Sequence, residues 1–245
     1  MKINNKFKKQ FFYGLRKGLP IAFGYIPVSF TFGLMATGGG LPVWLTIFIS
    51  LSNLTSAGQF AGTSLILAGA GYLEIVLTTF LINIRYMLMS LSLSQKIEPE
   101  ITMVQRLIFG FGITDETFSV ASLENGRLSY PFLLGLISTP MAGWTFGTAL
   151  GALISKALPD IMANAMGIAL YGMFIAIIVP PAKKSKPVLM VVAASIVMNF
   201  LLIYLPVFTF ISAGFRIIIA TILGASLGAF LFPVQDEKET KEEFQ

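Results

Sequence analysis

The chain has 245 residues, 55% hydrophobic and 12% charged, with neither Cys nor His. A soluble domain of this size carries about twice that charged fraction, so a single soluble core is excluded and a helix bundle in lipid is indicated. Without Cys and His, disulfides, thiolate catalysis, Cys-based metal sites and the commonest catalytic base are excluded.

In chain order, Lys2, Lys6, Lys8, Lys9, Arg16 and Lys17 come first, with no acid among them. Placed just before an apolar run, this stretch reads as a topology signal rather than a nucleic-acid surface, and it puts residues 1–18 in the cytoplasm. The run at about 19–37 contains Pro20 and Pro27 and precedes further spans, so it reads as a retained first span rather than a cleaved signal. The uncharged Gly38-Gly39-Gly40 suits an outer loop.

The second apolar region, about 43–69, is interrupted by Ser50, Ser52, Asn53, Thr55, Ser56, Gly58, Gln59, Gly62, Thr63 and Ser64. Backbone in lipid must be hydrogen-bonded internally. Gly58 and Gly62 loosen a helix, and the hydroxyls and amides can solvate freed carbonyls, as in the broken helices that form solute sites at mid-membrane. Asn53, Ser56, Gly58 and Gln59 are therefore candidate binding residues. An ordinary helix interface of small, weakly polar residues is the alternative.

The third run, about 72–94, carries Arg85 near its middle, beside Asn83 and Tyr86. A charge at that depth costs at least about 2.5 kcal/mol, and a buried guanidinium needs a carboxylate from the protein or from a ligand. Glu74, near the start of this run, reads as solvated at the interface. The stretch 107–123 is apolar apart from Asp115 and Glu116. Adjacent acids on one helix point in different directions, so one can pair with Arg85 while the other titrates. Thr114 can also cap a half-helix that begins at Asp115. The bland alternative is an interfacial helix with both acids solvated.

Further spans are expected at about 130–155, 161–181, 187–205 and 214–234, followed by an acidic tail, 235–245, in the cytoplasm. Gly143, Gly147 and Gly151, like Gly224 and Gly228, are spaced for close helix packing. Trp44, Trp144, Tyr72 and Tyr130 lie near span ends, as interface aromatics do. If 43–69 and 107–123 both cross, there are eight crossings. If both re-enter, there are six, with Lys96 and Arg106 on the cytoplasmic side, which the positive-inside rule mildly favours, and a long, interrupted crossing satisfies both sets of facts nearly as well. Thr31-Phe32-Gly33 and Thr145-Phe146-Gly147 form a weak internal echo of the kind duplicated transporters carry.

The expected fold is an all-α polytopic transmembrane bundle of about 6–8 segments. One or two of these are broken or re-entrant, within a single transport domain over 19–234. The long continuous apolar runs do not alternate as barrel strands do.

These motifs resemble the AzlC family, the large subunit of bacterial branched-chain amino acid exporters. The resemblance is carried by Leu19-Pro20-Ile21 and Tyr25-Ile26-Pro27-Val28-Ser29-Phe30-Thr31-Phe32-Gly33-Leu34, then Ser56-Ala57-Gly58-Gln59-Phe60 and Asn83-Ile84-Arg85-Tyr86. It continues in Phe111-Gly112-Ile113-Thr114-Asp115-Glu116-Thr117-Phe118 and Trp144-Thr145-Phe146-Gly147. It implies export of leucine, isoleucine, valine and related apolar amino acids through the bacterial cytoplasmic membrane. It also implies a small AzlD-type membrane subunit as partner and energy from the proton gradient.

Two positions depart from the family pattern, which often has His where Tyr86 stands and Asp where Asn83 stands. Proton coupling would then fall to Asp115 and Glu116, with Asn83 and Arg85 among the substrate-binding residues. No cofactor or metal is expected. A channel or structural membrane subunit is the alternative; a membrane enzyme has little to work with, since no Ser–Lys or di-aspartyl arrangement is apparent.

Overall fold

A computed structural model describes residues 2–155, 157, 175, 178–180, 182–208 and 210–232. The span expected at 161–181 and the acidic tail fall almost wholly outside the described residues. Everything regular among the described residues is helical, apart from one isolated bridge between Ile97 and Leu128.

Helix α1 (Lys2–Gly38) is one continuous helix from the basic stretch through the first span. At 37 residues it is about 55 Å long, well beyond the thickness of a hydrocarbon core. Pro27 removes one backbone donor. Nearby hydroxyls bond back to the main chain, Ser29 to Tyr25 C=O (2.9 Å) and Thr31 to Pro27 C=O (3.0 Å).

The most extensive helix pairing among the described residues joins α1 to α7 (Tyr130–Ile154). The pair is parallel: Gly14 meets Phe132 and Gly135, Ala22 meets Gly143, and Gly33 meets Thr148 and Gly151. Small residues on both sides let the backbones approach, so the expected packing role of Gly143, Gly147 and Gly151 holds, with α1 as the partner. The Thr-Phe-Gly echo falls on these two helices, but at different heights, since Gly33 faces Gly151 and Gly147 faces Ser29.

The region 43–69 is two half-helices, α2 (Val43–Ser52) and α3 (Ala57–Leu67). Each is about 15 Å long, half a hydrocarbon core. They fold back on each other. Thr37 bonds Thr46 near the start of α2 (3.4 Å), while Leu67, ending α3, lies against Gly39. Between these ends the hairpin descends to Leu54, which packs with Tyr25 and Trp144. The break lies at Asn53–Ser56, not at the glycines as expected. Ser56 adopts φ 48°, a left-handed conformation costly for a residue with a side chain. Gly58 and Gly62 instead admit Asn83 and Thr79 of α4 (Tyr72–Ser94).

The stretch 107–123 behaves in the same way from the opposite end. Helices α5 (Met103–Phe111) and α6 (Asp115–Leu123) are again about half a core in length. Their outer ends lie together where Glu98 N–H donates to Leu128 C=O (3.0 Å) and Tyr13 donates to Glu124 (3.0 Å). Their tip reaches Ile137 and Tyr25. Lys96 donates to the carbonyls of Ser122 (2.6 Å) and Glu124 at the C-terminus of α6, where a cation is favoured. Thus α1 ascends, hairpin one enters from the top, α4 descends, hairpin two enters from the bottom, and α7 ascends.

Helices α8 (Lys186–Tyr204) and α9 (Ala213–Leu231) form an antiparallel pair, with Ser195 against Gly224 and Val191 against Gly228. Gly214 N–H donates to Glu74 Oε1 (2.6 Å), tying the start of α9 to the top of α4. Glu74 is 7% exposed, which corrects the reading of it as a solvated interfacial acid. Its carboxylate complements the positive end of α9. Trp144 also departs from expectation: it is buried at 1% exposure, not interfacial, whereas Trp44 and Tyr72 are exposed. The basic N-terminal stretch, Lys96, Arg127 and the Lys183–Lys186 segment all gather at one end of the bundle. The loops at the other end, 39–42 and 68–71, carry no charge.

Candidate solute-binding site

The two hairpin tips meet beside Arg85. This residue lies 13 positions after Tyr72, about 20 Å along α4 from its top and about 14 Å from its bottom. Arg85 Nη1 pairs with Asp115 Oδ2 of hairpin two at 2.6 Å. Its Nη2 donates to Tyr86 Oη at 3.3 Å, and its guanidinium sits 5.0 Å from the centre of the Tyr86 ring. Tyr86 in turn donates to Thr55 C=O in the tip of hairpin one, at 3.0 Å. One residue pair on α4 therefore touches both tips.

The second acid takes another direction, as adjacent helical residues must. Glu116 Oε2 accepts from Tyr25 Oη of α1 at 2.5 Å, and the same hydroxyl reaches Thr114 Oγ1 at 2.7 Å. Thr114 caps α6 through Thr117, so the expected cap is present. The cap fixes where Asp115 and Glu116 begin the helix and so where each side chain points.

Asn83 lies against Gly58 in the first turn of α3. Its Oδ1 and Arg85 Nε are buried without a hydrogen-bond partner among the described residues. Such atoms are costly to leave unsatisfied. The pair is not sealed, because 40% of the Arg85 side chain and 47% of the Asp115 side chain remain exposed. A solute reaching this point meets a guanidinium, a carboxylate, an unsatisfied donor, an unsatisfied acceptor and the positive end of α3.

Of the sequence candidates, Asn53, Ser56, Gly58, Asn83, Arg85, Asp115 and Glu116 all belong to this junction. Asn53 accepts from Thr55 Oγ1 (2.6 Å) and shapes the tip. Gln59 turns the other way: Trp144 Nε1 donates to its Oε1 (3.0 Å) and its Nε2 donates to Ser50 (2.6 Å). Ser50 then bonds Thr148 at 2.7 Å. Both ends of the Gln59 amide are thus committed to holding hairpin one on α7.

Three contributors were not singled out from the sequence as site residues: Tyr25, Thr55 and Tyr86. Tyr25 lies one turn before Ser29 in a proline-flanked span, and a buried phenol wants a partner. That was the available signal. No group of three acids that could hold a metal forms among the described residues.

The AzlC protein family matches residues 20–158, more than half of the chain, and that segment holds both hairpins, α4 and all of α7. The inner membrane protein YgaZ of Escherichia coli (strain K12) is 32% identical over 152 residues, covering 60% of this chain and 62% of YgaZ. An uncharacterized membrane protein of Archaeoglobus fulgidus is 36% identical over 149 residues, covering 58% of this chain and 64% of its own length. One from Helicobacter pylori (strain 26695) is 25% identical over 155 residues, covering 62% and 67%. The chain thus spans about six-tenths of the length of the first curated relatives it matches. No solved structure matches it. With its helical bundle, its membrane-protein relatives and the family match over more than half of its length, this chain belongs to the AzlC family.

Proposed function

We propose that this chain is a secondary exporter of branched-chain amino acids, coupled to protons and working with a small AzlD-type membrane subunit. The substrate class and the partner follow from the family resemblance. The carrying observation is the meeting of two re-entrant tips at half-depth around Arg85, with Arg85 Nε and Asn83 Oδ1 unsatisfied.

A zwitterionic amino acid has the complementary groups. Its carboxylate goes to Arg85 and the positive end of α3, and its ammonium goes to Asp115 and Asn83 Oδ1. Asp115 and Glu116 are the two acids at the junction to which proton coupling is assigned, and a charge gained or lost there would bias one access state over the other. The basic end of the bundle faces the cytoplasm in this reading, with both chain termini on that side.

The test is counterflow of leucine, isoleucine and valine in proteoliposomes, with and without an imposed proton gradient. Wild-type protein should carry these solutes faster with the gradient, and Arg85→Gln should abolish the flux while the protein still inserts. Wild-type flux in Arg85→Gln would remove Arg85 from the site. A channel would equilibrate solute but never concentrate it.

A further inference from the structure

We infer that the two re-entrant hairpins are opposed gates and that Arg85 and Tyr86 couple them, Tyr86 acting as a positioning residue for both. This rests on the transport reading above and adds how access would alternate.

The hairpins are equivalent in build. Each follows a long helix at that helix's far end, hairpin one after α1 and hairpin two after α4, and the two enter from opposite ends of the bundle. Each breaks at half-depth and restarts on a hydroxyl residue, Ser56 before α3 and Thr114 before α6. A Phe follows four residues later in both, Phe60 and Phe118. Phe60 packs into the upper buried cluster with Phe32 and Leu54. Phe118 packs on the lower cluster with Phe109 and Leu133. The relation is an inverted one, and it sets a closed path above the site and another below it.

Tyr25 of α1 also touches both tips, but the polar link between them runs through α4 as a chain of four groups: Asp115 to Arg85 (2.6 Å), Arg85 to Tyr86 (3.3 Å), and Tyr86 to Thr55 C=O (3.0 Å). Tyr86 has one proton, which it gives to hairpin one, and it accepts from Arg85. A carboxylate arriving at Arg85 competes with Asp115 and draws the guanidinium off Tyr86. It therefore perturbs the latches of both hairpins in one event. Without that link, the two gates could open together and a gradient would leak.

The test needs no solute at first. Tyr86→Phe keeps the ring and loses the hydroxyl. Hydrogen exchange in lipid nanodiscs should quicken roughly 5-fold in peptides over the tip of hairpin one, the size of effect expected when one neutral hydrogen bond is lost. It should also quicken in the tip of hairpin two, which the hydroxyl does not touch, and Asp115→Asn should in return quicken hairpin one. A change confined to the tip nearest each substitution overturns the coupling, whatever the solute proves to be. In proteoliposomes, Tyr86→Phe should lower proton-driven accumulation by a larger factor than downhill flux. If both fall together, Tyr86 is only structural and the inference fails. If wild-type protein moves no amino acid while the exchange coupling is present, the fault lies with the proposed substrate and not with the gates.

Discussion

The Arg85–Asp115 pair can be tested by a double-mutant cycle on stability alone. Asp115→Asn leaves a guanidinium about 14 Å from the nearer end of α4, farther than the side chain can extend, beside a Tyr86 hydroxyl that cannot neutralise it. Arg85→Gln leaves the carboxylate instead. Breaking a sealed pair on one side costs about 3–5 kcal/mol. Here 40% of the Arg85 side chain and 47% of the Asp115 side chain are exposed, and screening lowers the expectation to roughly 1–3 kcal/mol for each single substitution. The double variant removes both charges and leaves two amides able to bond each other. It should therefore be more stable than the sum of the singles by roughly 1–2 kcal/mol, a shift of about 2–8 °C in a chain of this length. Thermal unfolding in lipid nanodiscs at one fixed scan rate measures this. Effects that add to within about 0.5 kcal/mol would show that the two groups do not depend on each other, and the site would lose its central contact.

Two further outcomes follow from packing. Gly151→Val drives a side chain into the Phe30 carbonyl and the Leu34 amide of α1. Backbone cannot yield as a side chain does, so a loss of at least about 1–3 kcal/mol and a reduced monodisperse yield on size exclusion are expected. Gly24→Ala, where nothing lies within 4 Å, should be tolerated, and equal yields would refute the α1–α7 register. Gln59→Leu strips Trp144 Nε1 of its acceptor and Ser50 of its donor, costing about 1–3 kcal/mol. In a Trp44→Phe background Trp144 is the sole tryptophan, so the tryptophan emission should shift to the red as hairpin one loosens. An unchanged spectrum would show that the hairpin is held by other contacts.

The amino-acid sequence by itself determined the class of the molecule and which ionised groups lie within its apolar stretches. Long apolar runs with few charges can only be helices in lipid, because the bilayer leaves backbone groups no other partner. The boundaries of α4 and α7 match the apolar runs to within a residue or two. Arg85, Asp115 and Glu116 stand out because ionised groups are expensive at that depth. Even the divergence of the two acids follows from helical geometry.

Direction and partnership were not legible. Two half-core helices in series have the same hydropathy whether they cross or turn back. Only the contact of Leu67 with Gly39 and of Glu124 with Tyr13 decides that both return to the end they entered from. Gly58 reads as a helix breaker in sequence, yet the break belongs to Ser56, because a glycine's role depends on what lies opposite it, and opposite Gly58 lies Asn83. Gln59, Glu74 and Trp144 take partners that local pattern does not reveal, for the same reason: a polar group's partner sits on another helix, tens of residues away. Local pattern sets which groups cannot be left alone, and tertiary packing decides what each of them meets.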